Sequence, residues 1–318
     1  MTGPDRRIVR RTVREDVGRD WSQIWPGHSP NAGQSSLASG GPSAAYLNPR
    51  CRVGGVTGWR RYRHVVTDSV VLVHGAWSGA WCWERVIPAL AARGMRPTAI
   101  DLPGHGADAS EMTDLHGDAT RVTELLDELG EPAILVGHSY GGAVVTEAGD
   151  HPLVMHLVFI AAMALDAGET CQKVATEDVA AAGIDWKGRP NFGKGFIVAP
   201  DNMVTLDPTV AAQCLYNDCD DATIAWALNR LGPHPLENLQ QSPARIAWRT
   251  KPSTYAVCAE DLVVHPVLER ILAKRCTSVV EWPTGHSPFL SDPERVAGLL
   301  TEVARASSPP ATDTGRRE

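Results

Sequence analysis

From residue 65 onward, short apolar runs alternate with segments whose apolar residues recur every three or four positions. "SVVLVHG" predicts a buried strand ending in His-Gly, and "AWCWERVIPALAARG" an amphipathic helix closed by Gly94. "RPTAIDLPGHG" reads as strand then loop, and "LHGDATRVTELLDELG" as a helix ending at Gly130. Ala133-Ile134-Leu135-Val136 is the next short strand, with a helix starting around Ala143. "HLVFIAA", at 156–162, is another buried strand, and "STYAVCAED" and "TSVVEW" supply two more, separated by the helical "VLERILAKR". "DPERVAGLLTEVARA" closes the series as a helix. This alternation predicts an α/β fold: a mostly parallel sheet covered by helices on both faces.

The alternation stops between about residues 164 and 250. That stretch is rich in Trp, Asn, Asp and Pro and contains short helical pieces such as "PTVAAQCLY" and "DATIAWALNRL". It is too long for a loop and lacks strand alternation, so a small helical cap is expected, inserted into a domain spanning 65–306. Residues 1–64 carry neither period and mix Arg pairs with Gly, Pro, Ser and Asn, which predicts a disordered basic extension. Arg6-Arg7 and Arg10-Arg11 are followed by no apolar stretch of the kind a secretory signal needs. Residues 307–318 are expected to form a disordered tail.

Composition sharpens this picture. With 318 residues and 43% hydrophobic content, the chain can bury one large core or two modest ones. No apolar run approaches the length of a membrane span, so a soluble protein is expected. The net charge of −7 is uneven: residues 1–63 hold 11 Arg against 4 acidic residues, and the remainder holds 19 basic against 33 acidic. An acidic body argues against nucleic acid as a partner. The seven cysteines are scattered, odd in number and form no C-x-x-C pair, as expected of reduced thiols in a cytoplasmic protein. Arg outnumbers Lys 25 to 5, a bias expected of a GC-rich bacterial genome.

The chemistry centres on "PAILVGHSYGGAVV", in which Gly137-x-Ser139-x-Gly141 sits where a strand passes into a helix. A sharp strand-to-helix turn strains the central residue and holds up its hydroxyl, with the next backbone N–H free to stabilise an anion. Taken alone, the five residues fit an ordinary Gly-rich turn equally well. An activated serine needs a base, and the base an orienting carboxylate. His286 lies in "EWPTGHSPF", after the last strand and before the closing helix. His105, in "LPGHG", is the second choice, and His138 should point away from the serine hydroxyl. Asp261 directly follows the strand "STYAVC", at the sheet edge where ligands collect. Glu260 is its local rival and Asp166 its remote one. The resulting chain order is Ser139, Asp261, His286. The oxyanion donors are expected to be the N–H groups of Tyr140 and Ala76, with His74 bracing the second loop. No His/Cys/Glu cluster has ligand spacing and no phosphate-binding loop is visible, so neither metal nor nucleotide is expected.

The segments "VVLVHGAWSGAWCWERVIPAL", "AIDLPGHG", "VGHSYGG", "YAVCAED" and "TGHSPFLSDPE", across residues 68–306, resemble the α/β-hydrolase superfamily. Within it they resemble the branch of methyl esterases, hydroxynitrile lyases and bacterial pyrethroid-hydrolase-like esterases. The resemblance implies a cofactor-free serine hydrolase acting on a small-molecule ester, with a helical cap over the site. Lyases of this branch typically carry a threonine where this chain has Gly75 and a lysine where it has Ser287, so the resemblance favours ester hydrolysis. Transfer of the acyl group to another acceptor, and a non-catalytic receptor, are the other readings. "VTDSVVLVHG" is a natural opening for the family, and Val66 is therefore an expected start of the chain. Trp77, Tyr216 and Trp226 are candidate substrate contacts, with Trp186, Phe192 and Phe196 behind them; packing of the cap is the alternative for each. A homodimer is left open.

Overall fold

In the computed structural model, which describes residues 67–181, 183 and 188–307, the apolar runs become strands. The extension at 1–64, the proposed start at Val66, Trp186 and the tail beyond residue 307 lie outside the described residues. Six strands form one sheet: β1 (Ser69–Val73), β2 (Arg96–Ile100), β3 (Ala133–His138), β4 (Val154–Ile160), β8 (Ser253–Cys258) and β9 (Ser278–Trp282). Their order is β2-β1-β3-β4-β8-β9, and every neighbouring pair runs parallel. The inner strands β1, β3 and β8 are buried at every position, because helices cover both faces. The two edge strands are more open: β2 is largely accessible and tolerates Pro97, which a central strand would not, and β9 is exposed over most of its length.

The helices follow the apolar periodicity. Helix α1 (Val86–Ala91) is shorter than the sequence predicts, because Ala80–Trp83 forms a separate 3-10 turn before it. Helix α2 (Leu115–Leu129) starts where the Asp114 carboxylate accepts from Gly117 N at 2.8 Å. It ends at Gly130, in the left-handed conformation expected of a C-cap. Helix α3 (Gly141–Ala148) is wholly buried, crossing the middle of the sheet.

Two helices, α4 (Pro208–Leu215) and α5 (Asp221–Leu228), occupy the predicted helical segments of the cap. The cap is not purely helical, however. It also carries an antiparallel sheet of β5 (Phe196–Val198), β6 (Met203–Leu206) and β7 (His234–Pro235). These strands of three, four and two residues are too short to write an alternating pattern into the sequence. After the cap come α6 (Pro266–Ala273) and α7 (Pro293–Ala306), the latter packed against α1.

The order of strands has one functional consequence. The chain leaves β1 for β2 on one side, then enters β3 on the other. The crevice beyond the C-terminal ends of β1 and β3 is thus a topological switch point, where parallel sheets bind ligands.

Candidate active site

Ser139 stands at that switch point, one residue past β3, with φ = 52°. This is the left-handed region that a side chain seldom enters, and it matches the strained turn read from the sequence. The flanking glycines are required by space. A Cβ on Gly137 would lie 2.5 Å from the Gly141 carbonyl oxygen, and one on Gly141 would lie 2.5 Å from the His74 carbonyl oxygen. The first turn of α3 therefore presses backbone to backbone against β3 and the end of β1, and Ser139 is forced outward.

The end of β1 supplies the facing loop. A Cβ at Gly75 would come within 2.9 Å of both Ser139 Cβ and His138 Nδ1, so this loop passes directly over the serine. Among the described residues, the N–H groups of Ala76 and Tyr140 donate to no backbone acceptor outside helix and strand ladders. Such amides beside a nucleophile can hold a developing oxyanion. His74 braces the loop as expected: its Nδ1 meets the Gly75 carbonyl at 2.8 Å and its Nε2 accepts from Leu102 N at 3.1 Å. Burial pulls its pKa down to about 3, so the ring is neutral.

Asp261 and His286 come from loops following β8 and β9, and the structure brings them together. His286 Nδ1 lies 2.6 Å from Asp261 Oδ2, with the two side chains 1% and 0% exposed. Asp261 Oδ1 accepts from Val263 N at 2.6 Å and Val264 N at 2.9 Å, so backbone donors fix the carboxylate's orientation. With Nδ1 engaged, His286 has Nε2 available for proton transfer. A direct hydrogen bond from Ser139 Oγ to this ring is not among those formed by the described residues. His138 links the two halves: its Nε2 meets the His286 carbonyl at 2.9 Å, and the two rings are 4.7 Å apart.

The rival residues are committed elsewhere. His105 spends Nδ1 on the Pro103 carbonyl and Nε2 on His234 Nδ1, each at 2.9 Å. Glu260 is exposed beside the buried Asp261, and Asp166 is paired with Arg249.

Of the candidate substrate contacts, Trp77 follows Ala76 directly and has φ = 62°. Its indole donates to the Val204 carbonyl at 2.9 Å and packs on Phe192 and Phe196, with centroids 5.7 and 5.2 Å away. Trp226 instead packs on Trp81 at 5.4 Å, with the Arg230 guanidinium over its ring at 4.3 Å. Tyr216 is buried. For Trp226, these contacts describe the packing role that the sequence held open.

Sequence reasoning missed the cap residues that hold the reactive loops. Asp218 Oδ2 accepts from Gly285 N and from Ser291 Oγ, both at 2.7 Å, and so ties down the His286 loop. Asn217 Nδ2 donates to the Glu260 carbonyl at 3.0 Å, and Arg189 Nη1 to the Asp261 carbonyl at 2.8 Å. Their partners lie up to 73 residues away in the chain, and no local motif signals them.

The chain belongs to the alpha/beta hydrolase family, whose model matches residues 70–299. It is 30% identical to methylesterase 3 of Arabidopsis thaliana over 258 residues, covering 74% of this chain and 95% of that protein. It is 27% identical to a pyrethroid hydrolase of Sphingobium wenxiniae over 270 residues, covering 76% of this chain and 89% of the relative. Among solved structures, a pyrethroid hydrolase from Sphingobium faniae superposes with a TM-score of 0.64 at 23% identity, covering 75% of this chain and 97% of the other.

Proposed function

We propose that the protein is a serine esterase that cleaves a small carboxylic ester through an acyl-enzyme, without metal or nucleotide. The observation that carries this reading is the buried 2.6 Å contact between His286 and Asp261, in the loops beside a strained Ser139. Ser139 Oγ attacks the ester carbonyl as His286 Nε2 takes its proton, and Asp261 stabilises the imidazolium that forms. The tetrahedral oxyanion is held by the N–H groups of Ala76 and Tyr140, each worth about 3–4 kcal/mol of the barrier. His286 then returns the proton to the departing alcohol. Water, deprotonated by the same ring, adds to the acyl-enzyme; its collapse releases the carboxylic acid and restores Ser139. The names of the relatives, a methylesterase and a pyrethroid hydrolase, support ester hydrolysis.

The same site argues against cleavage of a cyanohydrin. Gly75 leaves no room for a side-chain donor: a Cβ there is already 2.9 Å from Ser139 Cβ. Ser287 is uncharged and buried, and it leads into a short helix begun by Pro288. A cation to receive departing cyanide is therefore missing from the position after His286.

The test uses purified protein with a panel of methyl and aryl esters, a fluorophosphonate probe, and mandelonitrile under the same conditions. Ester turnover and covalent labelling at Ser139 are expected, with no cyanide release above the Ser139→Ala background. Enzyme-dependent cyanide release with esters untouched would overturn the reading.

A further inference from the structure

One buried ionisable side chain beside the proposed triad has no part in the steps above. Glu269 lies on α6 and is completely buried. Its Oε2 accepts from Cys258 N at 3.0 Å, which anchors that half of the carboxyl to the last residue of β8. Its Oε1 is sealed from solvent and receives no donor among the described residues. Cys258, which holds Oε2, lies three residues before Asp261, and the Asp261 carboxyl is the acidic neighbour that acts on Glu269. Two carboxylates cannot face each other in a dry interior, so one of the pair must hold a proton.

Which one holds it follows from the surroundings. Asp261 already accepts two backbone donors on Oδ1 and meets the imidazole on Oδ2, so both of its oxygens are engaged as acceptors. Glu269 has one backbone donor, on Oε2. Burial pushes its carboxyl well above the usual range, and the Asp261 charge adds to the effect. Among the described residues, the other ionisable neighbours are themselves protonated or paired. Tyr255 and Cys258, which face Glu269 from β8, are themselves held protonated by burial. Arg270, the adjacent cation, is committed to Glu281 through Nε and Nη2 at 3.0 and 2.6 Å.

We infer that Glu269 is a positioning residue: a neutral carboxylic acid whose Oε1–H donates to Asp261, so that the acid of the triad is held by protein donors on every side. The proton stays on Glu269 throughout the cycle. Its work is to fix the Asp261 carboxylate in the plane of the His286 ring and to temper the charge that His286 feels. This inference rests on the triad proposed above.

The experiment compares Glu269→Gln and Glu269→Leu with the unmodified protein. Glutamine keeps the shape and can accept from Cys258 N while donating to Asp261; leucine keeps the volume and donates nothing. The rate of Ser139 labelling by a fluorophosphonate, and kcat/KM for an aryl ester, are followed against pH. For Glu269→Gln, the acid limb should stay within about 0.3 pH unit of the unmodified protein, since no charge has changed. For Glu269→Leu, the less neutralised Asp261 should move that limb upward by about half a unit or more, with kcat reduced about tenfold and KM little altered.

A downward shift of the limb in Glu269→Gln would mean that an anion had been removed, and would overturn the inference. So would an unmoved profile in Glu269→Leu. Difference infrared spectroscopy between the unmodified protein and Glu269→Gln gives a reading that needs no catalysis. The C=O stretch of a protonated carboxyl should be present near neutral pH and vanish in the variant, and a carboxylate band in its place refutes the neutral acid. Failure of ester turnover with that band present would count against the proposed reaction and leave the neutral acid standing.

Discussion

The core and the cap approach the same three residues in different ways. The core presents Ser139, Asp261 and His286 from the ends of β3, β8 and β9, so a rigid parallel sheet sets their spacing. The cap contributes none of the three, yet it grips the loops that carry two of them, through Asn217, Asp218 and Arg189. It also returns to the core along a buried polar seam. His234 meets His105 at 2.9 Å, and Asn238 donates to the Thr113 carbonyl at 2.9 Å and towards Asp118 at 3.3 Å. On the proposed mechanism, the two regions divide chemistry from alignment. Removing a core residue should abolish a step, whereas removing a cap residue should blur a geometry.

The largest expected effect is on the core side. Ser139→Ala should lower kcat by about 10⁶-fold and eliminate fluorophosphonate labelling. Its thermal unfolding midpoint should be unchanged or slightly raised, since alanine carries the same φ strain without a hydroxyl to satisfy. Residual labelling at another serine would move the nucleophile elsewhere. Asp261→Asn should cost about 10⁴-fold in kcat, as loss of the orienting carboxylate does in serine hydrolases generally. Glu260→Gln, one residue away and exposed, should stay within about threefold of the unmodified protein. If these two variants exchange behaviour, the acid is misassigned.

A smaller effect on the cap side sharpens the contrast. Asp218→Ala leaves Gly285 N and Ser291 Oγ without their acceptor, and the His286 loop loses its tether. A displacement of the ring by a fraction of an ångström should lower kcat about tenfold to a hundredfold, with a stability loss of about 1–3 kcal/mol. Asp218→Asn keeps an acceptor oxygen and should recover most of both. The cap's part in alignment is refuted if Asp218→Ala changes KM alone and leaves kcat intact.

The same division explains what could be read from the sequence. Each core residue of the site lies within a few residues of the end of a strand of five or six residues, and a Ser, Asp or His at such a boundary is conspicuous. The glycines at 137 and 141 were legible for the same reason, and their necessity is a local matter of backbone clearance. The cap's sheet was not legible, because β5, β6 and β7 are too short to establish a period. Asp218 looked like any acidic residue in "YNDCDDAT", and Glu269 like a helical glutamate; only folding shows that one meets Gly285 N and the other is buried against Cys258 N. His138 was expected to turn from the serine. That it supports the His286 carbonyl, 148 residues on, depends on the adjacency of two loops that no spacing rule encodes.

The smallest effect on activity, below about threefold, is expected at the seam, where Asp118→Asn tests how core and cap are joined. Asp118 accepts from Tyr140 Oη at 2.6 Å and from Thr113 Oγ1 at 2.8 Å, with Asn238 of the cap at 3.3 Å. Burial raises its pKa from the ordinary 3.8 to about 6, while hydrogen bonds from Tyr140, Thr113 and Asn238 act in the opposite direction. A group that binds its proton more tightly folded than unfolded favours the fold fully below about pH 4. That contribution is lost as pH rises through about 6, where the folded carboxyl ionises. Other buried groups slope the other way: burial brings His74 down to about 3 and His156 to about 4, so acid costs stability through them. Urea unfolding of Asp118→Asn beside the unmodified protein cancels those shared contributions. Between pH 4 and pH 7 the stability difference should move in favour of asparagine by on the order of 3 kcal/mol. A difference that stays flat would show that Asp118 is as ionised folded as unfolded, and that a true carboxylate holds the seam. That result would also weaken the division drawn between the two regions.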